Sequence, residues 1–216
     1  GGGLMTVTPG SAEVANCAFT DNRAGNSGGG IKGYSGTLNV TNSTFANNSA
    51  SSGGGLSNYG VLTVTNGTFS GNDGIYGAGI QDGEGATTLR NTIIANSSRG
   101  ANCYGTIVNG GNNVEDGTSC GWGSSNGSRS SVNPLLGPLA DNGGATQTFA
   151  LLPGSPAIDG VIYNAPNGCP ATDQRGYSRV GVCDIGAYEY GGLAPTSSPT
   201  NTPTSTPTFT PTSTST

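Results

Sequence analysis

The sequence predicts an all-β chain folded as a solenoid of the parallel β-helix type. Three observations carry that expectation. A Gly-Gly/Ala-Gly-aliphatic step recurs as Gly1-Gly2-Gly3-Leu4, Gly28-Gly29-Gly30-Ile31, Gly53-Gly54-Gly55-Leu56 and Gly77-Ala78-Gly79-Ile80. A second step, Phe/Ile-x-x-Asn, recurs as Phe19…Asn22, Phe45…Asn48, Phe69…Asn72 and Ile93…Asn96. The period is roughly 24 to 27 residues, the range of solenoid repeats. Third, apolar residues alternate between the two steps, as in Leu38, Val40 and Phe45 and again in Leu62, Val64 and Phe69. Alternation marks strands with one face inward.

Each part of the repeat has a physical role. The glycines supply the positive φ angles and close approach that corners need. At about 3.3 Å per strand residue, one repeat is long enough for three short strands and their corners. Phe19, Phe45, Phe69 and Ile93 are expected to stack as an inward column. Asn22, Asn48, Asn72 and Asn96 are expected to stack at a corner, where side-chain amides hydrogen-bond along the column. Cys17 shares its offset with Ser43 and Gly67 and reads as a small inward side chain, free and buried.

These residues resemble the chlamydial polymorphic outer-membrane protein repeat, GG-[AG]-[ILV] followed by F-x-x-N. The resemblance covers residues 1–96, and the fourth unit departs from it at Ala78 and Ile93. It implies a right-handed, single-stranded β-helix on an exposed bacterial surface protein.

The repeat fades after residue 100. Asn102-Cys103-x-Gly105, Gly110-Gly111-Asn112-Asn113 and Cys120-Gly121-Trp122 come next. They lead to Asn133-Pro134-Leu135-Leu136-Gly137-Pro138-Leu139-Ala140-Asp141-Asn142-Gly143-Gly144 and Leu151-Leu152-Pro153-Gly154-Ser155-Pro156-Ala157-Ile158-Asp159. Asp173-Gln174-Arg175-Gly176 and Cys183-Asp184-Ile185-Gly186-Ala187-Tyr188-Glu189-Tyr190 close the series. This succession is similar to the choice-of-anchor Q domain over residues 93–191. The similarity implies export and display or release at a cell surface, and assigns no catalytic residue.

Physically, these motifs read as a cap over the last coil, which a solenoid requires. Leu135, Leu136, Leu139, Leu151, Leu152 and Ile158 would cover it, and Pro134, Pro138, Pro153 and Pro156 would fix an irregular path. The expected organisation is therefore β-helix coils over 1–100, last coils and irregular cap over 101–191, and a disordered Thr/Pro/Ser-rich spacer over 192–216. In that spacer Pro195, Pro199, Pro203, Pro207 and Pro211 recur every fourth residue, which favours an extended chain and allows O-glycans. The chain begins inside a repeat and ends inside the spacer. Missing N-terminal coils, a missing signal peptide and a missing anchor are the expectation.

Composition narrows the function. The net charge is −5 with only 7 Lys and Arg, so a nucleic-acid footprint is excluded. No run approaches the roughly 18 apolar residues of a membrane span. Cysteines in a loop-rich chain point to disulfides and an oxidising compartment. Each later pair brackets a Gly-containing stretch, so Cys103 is expected to pair with Cys120 and Cys169 with Cys183. No Cys-x-x-Cys and no His occur, which argues against zinc.

An enzyme is the competing expectation, because β-helices serve as polysaccharide lyases and hydrolases. Carboxylates on adjacent coils would stand about 4.8 Å apart. None stacks in the repeat register: Asp21 aligns with Asn47 and Gly71, Asp73 with Arg23 and Ser49, and Asp82 with Gly33 and Asn58. Asp82, Glu84 and Arg90 are the nearest approach to a catalytic group, against a solvated turn. Glu115 and Asp116 read as solvated too. Asp159, Asp173, Asp184 and Glu189, near Arg175 and Arg179, read as ion pairs ordering the cap, with a structural Ca²⁺ site as the alternative; no other cofactor is expected. Tyr34 and Tyr59 share a register and read either as simple corner packing or as a candidate surface for sugars or a protein partner. The expected protein is a monomeric, secreted or cell-surface β-helix with a structural or adhesive role toward extracellular glycans or surface proteins. The alternative is a β-helix lyase or hydrolase with its site in upstream coils.

Overall fold

In the computed structural model, residues 2–7, 10–161 and 168–195 are described. They form a parallel β-solenoid of about four turns. One sheet stacks β1 (Leu4–Thr6), β4 (Ile31–Gly33), β6 (Leu56–Asn58), β8 (Ile80–Asp82) and β11 (Cys103–Tyr104), all parallel. These are the Gly-Gly-aliphatic steps, brought into register as Leu4, Ile31, Leu56, Ile80 and Cys103.

The second sheet has two halves. Its first half stacks β2 (Ser11–Ala15), the start of β5 (Thr37–Ala46), the start of β7 (Val61–Ser70), β9 (Ala86–Arg90) and β12 (Ile107–Asn109). Its second half stacks β3 (Ala18–Thr20), the ends of β5 and β7, β10 (Ile93–Ala95) and β13 (Val114–Glu115). A column of Asn16, Asn42, Asn66, Asn91 and Asn112 separates the halves, each residue at φ between 45° and 56°. Asn tolerates this left-handed conformation, so it bends the strand at one place in every coil.

The core is a narrow column. Ile31, Leu38, Val40, Phe45, Leu56, Leu62, Val64, Phe69, Ile80 and Leu89 are all buried in it. Phe19, Phe45 and Phe69 stack with ring centroids 5.1 and 4.3 Å apart. At the corner, Gly53 has φ +60°, and a Cβ on Gly54 would collide with the backbone oxygens of Asp73 and Ala78. The missing side chain at Gly54 lets the next coil approach that closely, and Ala78 holds the same place one coil on. Asn22, Asn48 and Asn72 form the expected ladder: Asn22 Nδ2 donates to Asn48 Oδ1 and Asn48 Nδ2 donates to Asn72 Oδ1, both at 3.0 Å.

The fourth coil differs from the expected register by one residue. Ile94, not Ile93, stands opposite Phe69. Ile93 is buried on the other side of the sheet, with Val114, Leu151 and Ile185. Asn96 does not extend the ladder. It has φ 56°, matching Asn47 rather than Asn48, and donates instead to Ser70 Oγ. Glu115 is also not solvated. It stands opposite Ile94, is fully buried, and accepts from Ser130 Oγ and the Cys120 N–H. Cys17 is free and half-buried.

Both expected disulfides form, Cys103–Cys120 and Cys169–Cys183. The first carries Cys120 and Trp122 into the core column. The rest of the irregular cap lies alongside the coils rather than over the last one. After the antiparallel pair β14 (Leu136–Ala140) and β15 (Thr148–Leu151), the chain runs back over the second half of the second sheet. Asn42 Nδ2 donates to the Thr172 carbonyl, Thr44 Oγ1 to Gln174 Oε1, and Asn66 Nδ2 to the carbonyls of Asp184 and Gly186. The Gly186 N–H returns a bond to the Asn91 carbonyl. This strap explains why Ile93 is apolar: it faces Ile185, not solvent. Leu151 is buried beneath the strap, whereas Leu135 and Leu152 remain exposed. Leu193 bridges Ser178, so ordered chain reaches past residue 192. The remainder of the Thr/Pro spacer, residues 196–216, lies outside the described residues.

Candidate functional site

The corner after the first sheet places a small group of side chains on the outside. Lys32 is the middle residue of β4 and points away from the column between Ile31 and Gly33. Tyr34 follows it, and Tyr59 takes the same place one coil on, because Gly33 pairs with Asn58. The two rings lie 6.2 Å apart at 44°. Both are exposed. Lys32 Nζ sits 5.3 Å from one centroid and 5.6 Å from the other. On the fourth coil the equivalent position is Gly83, where a Cβ would collide with the Tyr59 ring. The missing side chain lets that ring lean onto the next coil. Glu84 follows, and Lys32, Tyr34, Tyr59 and Glu84 line one groove of about 520 Å³.

The structure separates the other acidic candidates. Asp82 is buried at the corner, where Oδ1 accepts from Thr87 Oγ1 at 2.8 Å and Asn58 Nδ2 at 3.2 Å. Glu84 is exposed. The two are two residues apart, but the corner breaks strand alternation, so they do not share a face. Arg90 closes β9 at the end away from that corner, opposite Thr65.

In the strap, Asp173, Asp184 and Glu189 belong to one buried network. Asp173 accepts the N–H groups of Arg175, Tyr177 and Glu189 and pairs with the Arg175 guanidinium at 2.7 Å. That guanidinium lies between the Tyr177 and Tyr188 rings, 4.0 and 3.7 Å from their centroids. Glu189 pairs with Arg179 at 2.9 Å and accepts the N–H groups of Val180 and Asp184. Asp184 accepts those of Asp159 and Tyr190. Burial pushes the Asp184 carboxyl up from 3.8 to about 6; the Tyr190 and Asp159 N–H groups oppose this, Glu189 adds to it, and Arg179 opposes it. Burial also lowers Arg179, against the pull of Glu189. Asp159 joins through its backbone N–H. N–H donors and guanidinium groups thus fill these carboxylates, and among the described residues no group of three or more His, Cys, Asp or Glu side chains is placed to hold a metal ion. No described helix is long and apolar enough to cross a membrane.

One polar feature escaped the sequence reading, the bend column of Asn42, Asn66, Asn91 and Asn112. Asn91 Nδ2 donates to Asn66 Oδ1, and Asn112 Nδ2 to Asn91 Oδ1. The signal was an Asn three residues before each of Phe19, Phe45, Phe69 and Ile94. No protein-family model, curated protein or solved structure matches the chain.

Proposed function

We propose that this is a secreted or cell-surface β-helix protein with a structural and adhesive role, which presents the groove of Tyr34 and Tyr59 to extracellular glycans. The observation that carries this reading is the pair of exposed rings held 6.2 Å apart on adjacent coils, with Lys32 and Glu84 beside them. Aromatic faces bury the apolar C–H faces of sugar rings, while the flanking charged groups meet hydroxyls. Two disulfides support an oxidising, extracellular setting. The resemblance to chlamydial outer-membrane repeats and to the choice-of-anchor Q domain supports surface display. A catalytic role finds less support, because Asp82 is buried and Glu84 stands apart from it.

The test is retention of the protein on a panel of immobilised neutral and acidic polysaccharides. Wild type is expected to be retained on at least one, and Tyr34→Ala/Tyr59→Ala to be lost from it with unchanged circular dichroism. Equal retention of the double variant would refute the assignment of this groove.

A further inference from the structure

The groove is one half of a longer surface. Lys32 also lines a second groove, of about 470 Å³, with Met5, Arg23 and Asn26. It therefore stands on the boundary between the two. Arg23 is exposed and has no ion pair among the described residues. Most other cations of the chain are engaged elsewhere. Arg99 pairs with Asp73, Arg175 with Asp173 and Arg179 with Glu189, and Arg129 donates to the Pro156 carbonyl. Arg90 lies on the other sheet. In a chain of net charge −5, Arg23 and Lys32 thus flank the same double groove.

We propose that the double groove binds a linear uronate polysaccharide lying across the outer face of the first sheet, its carboxylates on Arg23 and Lys32 and its sugar faces on Tyr34 and Tyr59. This rests on the glycan-binding reading above and adds the ligand class and the direction of the chain. Glu84 sits at the far end from Arg23, two coils beyond Tyr34 or about 10 Å at the rung spacing. A carboxylate there repels a uronate and accepts from hydroxyls, so the surface is graded from cationic to anionic. A neutral glycan meets Arg23 and Lys32 through hydroxyls alone, whereas a uronate chain adds a charge-assisted bond at each. Lys32 already rests over the rings, so its ammonium is positioned where a carboxylate attached to a stacked sugar would fall.

The test uses the whole chain and three probes: polygalacturonate, the same polymer with its carboxyls reduced, and a sulfated galactan. Polygalacturonate is expected to bind more tightly than its reduced form, by up to about fivefold for each exposed ion pair. Lys32→Gln and Arg23→Gln should each weaken it by up to that factor, and raising salt from 0.05 to 0.5 M should weaken it further (about 14 to 4 Å of screening length). Glu84→Gln should tighten binding, which simple surface damage would not do. If the reduced polymer binds equally well and only Tyr59→Ala weakens it, the uronate assignment falls and the glycan reading stands. Binding of the sulfated chain alone overturns the uronate assignment too. If none of the three binds and the wider polysaccharide panel is also negative, both readings fall.

Discussion

Replacing Asn48 with Ala should destabilise the solenoid far more than one surface amide would. Asn48 is fully buried. Its Oδ1 accepts from the Asn22 N–H at 3.1 Å and from Asn22 Nδ2 at 3.0 Å. Its Nδ2 donates to the Phe19 carbonyl at 2.9 Å and to Asn72 Oδ1 at 3.0 Å. Truncation removes all four bonds and leaves the Asn22 N–H and the Phe19 carbonyl short of a partner between coils. A fully buried abandoned group costs about 1 to 3 kcal/mol; Asn22 and Phe19 are partly buried, so each should cost about 1 to 2 kcal/mol and the pair about 2 to 4 kcal/mol. For a folded chain of this size that lowers Tm by about 6 to 12 °C. Asn96→Gly is the control: Asn96 is exposed, sits at φ 56° and lies outside the ladder, so glycine keeps the backbone and the loss should be about 0.5 kcal/mol. Urea and thermal unfolding read both. Equal losses, or a loss under about 1 kcal/mol at Asn48, would refute the ladder as an inter-coil clamp.

Three other outcomes are expected. Asp184 has its folded-state pKa raised to about 6 from an ordinary 3.8, so the native strap binds a proton that the unfolded chain releases. Stability should therefore rise as pH falls from above 6 toward 4, by up to about 3 kcal/mol, and Asp184→Asn should flatten that part of a Tm-versus-pH profile. Replacing Cys103 and Cys120 with Ser opens a loop with a sequence separation of 17 and should cost about 3 kcal/mol in denaturant unfolding. Gly83→Ala should displace the Tyr59 ring, weakening glycan retention while leaving Tm nearly unchanged; an unaltered retention with a lowered Tm would mean the ring only packs the corner.

The coils were legible because their period is written in residues with few substitutes. Gly53 and Gly54 stand where other side chains collide, and Phe45 and Phe69 must stack. The fourth coil was misread because Asn serves two purposes in this fold. At Asn48 it bridges coils through its amide, and at Asn47 it adopts a left-handed turn. Asn96 satisfies the letter pattern of the first and the backbone of the second. The Tyr34–Tyr59 register followed directly from the repeat, whereas the separation of Asp82 from Glu84 depends on the corner that lies between them. The strap was not legible, since its contacts join residues more than 100 positions apart: Asn66 meets Asp184 and Thr44 meets Gln174. No periodicity encodes such pairings. The apolar Ile93 was their one trace.

Incubating the protein with neutral and acidic polysaccharides, while following retention and new reducing ends together, separates glycan binding from cleavage. Retention that depends on Tyr34 and Tyr59, with no new reducing ends or unsaturated products, is the expected result. Product formation abolished by Asp82→Asn or Glu84→Gln would overturn the adhesive reading and place chemistry at the corner after β8.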